Sequence, residues 1–209
     1  MIDKIRIAIT KGRLLEKSTE LFERCGYNCE HIKNPGRRLI LPIEDTGIEV
    51  LLAKSFDVIT YVEHGVCDIG IVGKDTISET GGSFYEMLDL GIGKCKFILA
   101  AKDGVDFYGG YSHKIIATKY PNIAKRFAKE KNMDVEIIKI EGSVELAPLL
   151  GLSDAIIDIT ETGRTLVENG LSVIEDIMPI SARVIVNIPS AKIKNESITE
   201  FISRLKEVL

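Results

Sequence analysis

The chain has no tryptophan, and its 209 residues hold only four cysteines and three histidines. Cys25, Cys29, Cys67 and Cys95 form no C-x-x-C pair. A disulfide scaffold is therefore not expected, and reduced, partly buried thiols are. His31, His64 and His113 lie apart from other ligand types at metal spacing, so no structural metal site is expected. Positive charge is not in excess. The net charge is −4, the sequence pI is about 5.5, and no Lys/Arg block marks a nucleic-acid face. Apolar runs are strand-sized, far short of the roughly 20 residues a membrane span needs. The first ten residues lack the apolar centre and small-residue cleavage site of a signal peptide, so a cytoplasmic location is expected. Neither G-x-G-x-x-G nor G-x-x-x-x-G-K-[ST] occurs, which disfavours a dinucleotide fingerprint and a P-loop ATPase. Repeats and low-complexity segments are also missing.

What remains is an ordinary soluble composition, 45% hydrophobic and 28% charged. The length fits one compact unit or two lobes of about 100 residues each. Residues 5–10 alternate as a strand. Leu14, Leu15, Leu21, Phe22 and Cys25 then share a helical face that Gly26 stops. Strands are read at 39–41, 48–53, 68–72, 97–102, 114–118, 135–140 and 155–159, with a further β-rich run at 181–188. Helices are read at 57–64, 74–80, from Pro121, at 144–150, beyond the loop 160–165 through Asn169, and at 197–209. Strands and helices alternate almost throughout, so an α/β fold with mainly parallel sheets is expected.

In such folds, ligand-facing loops lie at the carboxyl ends of strands. Lys11-Gly12-Arg13, Lys54-Ser55, Gly73-Lys74-Asp75, Glu141-Gly142 and residues 160–165 all occupy such places, while Arg37 and Arg38 precede a strand. Cations so placed suit phosphorylated ligands, because guanidinium groups take phosphate oxygens in pairs. Taken singly, each is an ordinary surface charge. Residues 68–75, D-I-G-I-V-G-K-D, form a tight glycine-punctuated strand and turn where backbone can approach a ligand or a neighbouring helix.

Residues 154–166 read D-A-I-I-D-I-T-E-T-G-R-T-L. Asp154 and Asp158 sit four apart on an apolar strand, so both can face the same side. Thr160, Glu161, Thr162, Gly163, Arg164 and Thr165 follow and open a helix. Carboxylates accept hydrogen bonds from ribose hydroxyls, while loop hydroxyls and early helical N–H groups hold a phosphate. The pattern points to phosphoribosyl pyrophosphate (PRPP). The bland alternative has Asp154 capping a turn and Asp158 facing solvent.

Together these stretches resemble the ATP phosphoribosyltransferase family, in its short form, from end to end. The likeness rests on I-T-K-G-R-L (9–14), P-G-R-R-L (35–39), the run 53–75, L-D-L-G-I-G-K-C-K-F (88–97), E-G-S-V-E-L-A-P (141–148) and residues 154–166. The resemblance implies condensation of ATP, through adenine N1, with PRPP to give phosphoribosyl-ATP and pyrophosphate, the first step of histidine biosynthesis. It implies two α/β lobes of the periplasmic-binding-protein type (type II) around a cleft: lobe I from 1–88 plus 178–209, lobe II from 89–177. It places PRPP on Asp154, Asp158, Thr160, Glu161, Thr162, Gly163, Arg164 and Thr165. It places ATP on Lys11, Gly12, Arg13, Arg37, Lys54, Asp68, Gly70 and Gly73, with Arg13 and Arg37 as the catalytic cations. Many other phosphoribosyltransferases carry two adjacent acids before the loop, whereas Ile157-Asp158 supplies one. Mg²⁺ is expected on the substrate phosphates and not on a protein metal site. A histidyl-tRNA-synthetase-like regulatory subunit in a hetero-octamer, and a homodimer of this chain, follow by the same resemblance, since the chain stops at Leu209 where long forms continue. Two rival readings are a solute-binding module and a phosphoribosyltransferase acting on a free base.

Overall fold

The structure is a computed structural model that describes residues 4–110 and 113–209; residues 1–3, which the sequence reading assigns to lobe I, lie outside the described residues. In chain order the elements begin with β1 (Ile5–Thr10), α1 (Arg13–Arg24), α2 (Glu30–Lys33), β2 (Ile40–Ile43), β3 (Ile48–Ala53), α3 (Ser55–Glu63) and β4 (Ile69–Gly73). Next come α4 (Lys74–Thr80), β5 (Phe84–Asp89), β6 (Cys95–Lys102), β7 (Lys114–Thr118), α5 (Pro121–Glu130), β8 (Val135–Lys139) and α6 (Leu146–Leu149). The chain closes with β9 (Ala155–Thr160), α7 (Arg164–Glu168), β10 (Leu171–Ile180), β11 (Ala182–Asn187), α8 (Ile188–Ile193) and α9 (Asn195–Glu207). They divide into two compact units. One runs to Gly93 and takes Ser181–Leu209; the other is Lys94–Ile180.

The first unit is a six-stranded sheet in the order β2-β3-β1-β4-β11-β5. β1 is parallel to both β3 and β4, with Thr10 opposite Ala53 and Ile9 opposite Ile71. Both faces are covered, which explains the near-continuous apolar run in β1. Ile5, Ile7 and Ile9 pack with Leu21 and Phe22 of α1 and Phe201 and Leu205 of α9. Ala8 faces the other way, onto Val58, Ile59 and Val62 of α3. Phe22 and Phe201 meet edge-on at 5.5 Å, so the end of the chain seals the first helix.

The second unit is a five-stranded sheet in the order β10-β6-β9-β7-β8. Ile123, Ala124 and Phe127 of α5 cover one face with Phe97 and Ile157. Ala147 and Leu166, from α6 and α7, cover the other with Ile98 and Ile156.

The expectation of mainly parallel sheets is corrected. β2–β3, β4–β11, β5–β11, β6–β9 and β6–β10 are antiparallel. Two of the antiparallel strands, β5 and β10, were not read from the sequence. Both are sheet edges, where one side is solvated and apolar alternation fades. β10 also carries Pro179 and two register shifts, between Val173 and Glu175 and between Asp176 and Met178, which break a period of two. The helix read beyond the loop through Asn169 is α7, whose 5 residues begin inside the loop at Arg164 and end at Glu168, and Leu171 belongs to β10. Among the described residues no helix is long and apolar enough to cross a membrane.

Candidate functional site

In the second unit, β9 delivers Asp158 and Thr160 to a pocket of about 180 Å³ that residues 159–165 also line, together with Ile98, Glu145 and Leu166. The loop is built by its own side chains. Thr160 Oγ1 accepts the Gly163 N–H at 2.8 Å, and Thr162 Oγ1 accepts the Arg164 N–H at 3.4 Å. Gly163 takes φ 75°, a left-handed conformation that L side chains resist, and it starts α7. Asn169 Nδ2 donates to the Thr165 carbonyl at 2.8 Å and closes the far end of the helix. With only five residues, α7 adds little macrodipole, and the Gly163 and Arg164 N–H groups at its start are engaged by the loop's own hydroxyls. The exposed Arg164 side chain pairs with Glu168 at 2.7 Å, and the residue lines the pocket.

Asp158 is a half-buried acid of this pocket. Burial pushes its carboxyl up to about 6, the Ile159 N–H donating to Oδ1 at 2.8 Å opposes this, Glu145 raises it further, and Lys119 lowers it. Lys119 follows β7, whose Thr118 sits opposite Ile157 in parallel register, so the lysine is carried to the strand end beside Asp158. A bond from Thr118 Oγ1 to the Ile157 carbonyl at 2.6 Å pins that end.

Asp154 does not join them. It precedes β9, and its carboxylate accepts the Ile115 N–H at 2.7 Å, fixing the start of the β7–β9 pair. At ~3.3 Å per residue, it lies about 13 Å along the strand from Asp158. Residues four apart along extended chain are at opposite ends of a strand, so it does not bring them together. Glu145 and Lys119 were not singled out as ligands from the sequence. Glu145 lay inside the quoted run 141–148 without a role, and Lys119 directly follows a strand, the position that had singled out Lys11 and Lys54.

In the first unit, the carboxyl ends of β3, β1 and β4 stand side by side, with β1 between the strands reached in the two winding directions. That is the switch-point arrangement at which open α/β sheets bind ligands. It collects Lys11, Gly12 and Arg13 after β1, Lys54 after β3 and Gly73 after β4. Gly12 takes φ 88° at the start of α1, and the Lys11 N–H donates to the Ala53 carbonyl at 3.0 Å. The basic turn is drawn to the same edge. The Arg38 N–H donates to the Pro35 carbonyl at 3.0 Å, and the Leu52 N–H donates to the Leu39 carbonyl at 2.9 Å, which lays Arg37 beside the end of β3. Thr10 Oγ1, at the end of β1, is buried with no hydrogen-bond partner, an uncommon state for a polar atom.

Two residues leave the ATP-side set. Asp68 lies at the amino end of β4, about 16 Å along the strand from that edge. Its carboxylate accepts the Arg6 N–H at 2.9 Å, the Ser190 hydroxyl at 2.7 Å and the Lys194 ammonium at 2.9 Å, and it is structurally committed. Gly70 lies inside β4, where a Cβ would come within 2.9 Å of Val58, Val62 and Ile185; it is glycine so that α3 can approach the sheet.

A profile of the family described as ATP phosphoribosyltransferase matches residues 54–207. The chain is 56% identical over 203 residues to the ATP phosphoribosyltransferase of Clostridium kluyveri, covering 97% of this chain and 93% of that one. It is 55% identical to that of Clostridium botulinum, covering 98% of each. Among solved structures it is similar to a chain of the ATP phosphoribosyl transferase (HisG:HisZ) complex from Thermotoga maritima, with a TM-score of 0.83 and 37% identity over 98% of both chains. The periplasmic aliphatic sulphonate binding protein of Escherichia coli shares the fold, with a TM-score of 0.63 at 14% identity over 98% of this chain and 68% of that one.

Proposed function

The chain belongs to the ATP phosphoribosyltransferase family, and from that premise we propose how its residues divide the reaction. The enzyme transfers a phosphoribosyl group from PRPP to N1 of ATP and releases pyrophosphate, opening histidine biosynthesis. PRPP is held in the second unit, with its 5′-phosphate on Thr160, Thr162, Gly163, Arg164 and Thr165 and its ribose at Asp158. The observation that carries this is the hydroxyl-lined turn closed by Thr160 and Gly163 in the same pocket as the half-buried Asp158 carboxylate. ATP is held by Lys11, Gly12, Arg13, Arg37, Lys54 and Gly73. The two units are the family's two lobes.

Adenine N1 carries its own lone pair, so no strong base is required. The chain's task is to orient N1 against C1 and to stabilise the charge that develops. Asp158, ionised when substrate is bound, favours the positive charge growing at the ribose. Arg13 and Arg37 favour negative charge on the phosphates. Mg²⁺ would come bound to the substrate phosphates and would supply neutralisation of the diphosphate; among the described residues no group of three or more His, Cys, Asp or Glu side chains is placed to hold the ion by itself.

The chain works in a hetero-oligomer with a regulatory subunit, as the Thermotoga maritima complex does. We assign that subunit the histidyl-tRNA-synthetase-like type and the assembly a hetero-octamer built on homodimers of this chain. None of the four cysteines is in a disulfide, which suits a reducing cytoplasm. The test is pyrophosphate release with PRPP and Mg²⁺, with and without the partner subunit. Release that requires ATP supports the reading; release with a free base, or none in either arrangement, overturns it.

A further inference from the structure

Two exposed features of the first unit have opposite shape and opposite charge. The first is a groove of about 340 Å³ between α1 and the short α2, lined by Leu15, Ile32 and Pro35. With only 4 residues, α2 is too short to cover the flank of α1, and the gap stays open. Glu16 and Glu20 also line it. They lie one turn apart on the same side of α1, both are exposed, and among the described residues neither forms an ion pair. Lys33 reaches the groove too, but its ammonium is taken by Glu23. The groove is therefore apolar within and negative at its mouth.

The second feature is the end of α8. Ile193 is 76% exposed, more than any other isoleucine among the described residues, so it takes no part in the core. Ser190 and Ala191 fill the inward side of that helix. Lys192 beside it is exposed and, among the described residues, forms no ion pair. Lys194 differs, since its ammonium is held by Asp68 and by the Lys4 carbonyl at 2.7 Å. That bond sets Ile193 near the amino end of β1, whereas the groove adjoins Gly12, just past the carboxyl end of the same strand.

Within one copy β1 holds the projecting isoleucine and the groove apart. A second copy related by a twofold axis brings them together, and does so twice, because each copy offers both features. The charges agree with this, a free cation beside the isoleucine and two free acids at the groove. A large apolar side chain left in water next to an unpaired lysine is what an interface anchor looks like before its partner arrives.

We infer that these two features form the contact surface of the homodimer: Ile193 of each copy enters the α1–α2 groove of the other, with Lys192 against Glu16 and Glu20. This rests on the reading that the chain pairs with itself. The test is sedimentation velocity of the full chain over a concentration series, with thermal melts to verify folding. The wild-type chain is dimeric. Ile193→Asp and Glu20→Lys each raise the dimer dissociation constant by about tenfold or more, the scale of losing an anchor or of setting like charges together at an interface. Glu20→Lys combined with Lys192→Glu regains most of the lost affinity. Glu130→Lys makes the same charge change on an exposed residue of α5, in the second unit, and leaves dimerisation unchanged. An Ile193→Asp chain that dimerises as tightly as wild type, or a charge swap that regains nothing, overturns this surface and leaves the homodimer reading standing. A wild-type chain that stays monomeric at every concentration overturns both.

Discussion

Thr160 and Gly163 are joined by a 2.8 Å hydrogen bond from the glycine N–H to the threonine hydroxyl, and this bond gives the loop its shape. The space where a Cβ would stand on Gly163 is open, so the glycine is there for its φ of 75° and not for room.

Thr160→Val removes the acceptor at the same size, and Gly163→Val forces a branched side chain into the left-handed region. Each change costs the loop about 1–2 kcal/mol. The expected result is a rise of about tenfold in KM for PRPP, with KM for ATP and the melting temperature little changed. Steady-state kinetics with each substrate varied checks this; equal rises in both KM values would mean the loop does not serve PRPP alone.

Burial raises the Asp158 carboxyl from 3.8 to about 6. The folded state therefore holds that proton more tightly than the unfolded one. The stabilisation is fully present below pH 3.8 and is lost as pH rises through about 6. Asp158→Asn should then melt higher than wild type at pH 8, by an amount corresponding to no more than about 3 kcal/mol, and show no such gain at pH 4. The same variant loses PRPP binding. Thermal melts at the two pH values read the sign directly.

Asp68 anchors Arg6, Ser190 and Lys194 at the amino end of β4, away from the edge that carries Lys11, Gly12 and Arg13. Asp68→Ala leaves the Lys194 ammonium without its carboxylate and should destabilise the fold by about 2–4 kcal/mol. KM for ATP at a temperature where the variant is folded should stay within about twofold of wild type. A selective loss of ATP affinity with unchanged denaturant midpoint would return Asp68 to the binding site.

Gly70→Ala places a methyl within 2.9 Å of three side chains between β4, β11 and α3. Overpacking of this kind costs about 1–3 kcal/mol, which urea unfolding measures. Activity of the folded fraction should be retained.

Arg13→Ala and Arg37→Ala should each cut turnover by tenfold or more, about 1.4 kcal/mol per decade. Pyrophosphate release at saturating substrates is the readout, and wild-type turnover in both variants would remove them from the catalytic role.

Much of the site was legible because it is local. The Thr160–Gly163 turn, the glycine at φ 75° and the acid ending β9 are consecutive in the chain, and their chemistry follows from residue type and spacing. The cations after β1 and β3 were legible for a related reason, since parallel strands put successive carboxyl ends at one edge. Asp154 and Asp68 misled because an acid at the start of a strand looks, in sequence, like one at its end. Gly70 misled because close approach to a helix and close approach to a ligand ask for the same residue.

By itself the sequence determined the α/β character, the Thr160–Gly163 turn and the family, all of which reside in short contiguous patterns. Only the tertiary structure decided which way the edge strands β5 and β10 run and that Glu145 and Lys119 stand around Asp158. The reason is physical. Strand pairing and the field at a half-buried carboxylate depend on groups far apart in the chain, and periodicity reports only on neighbours.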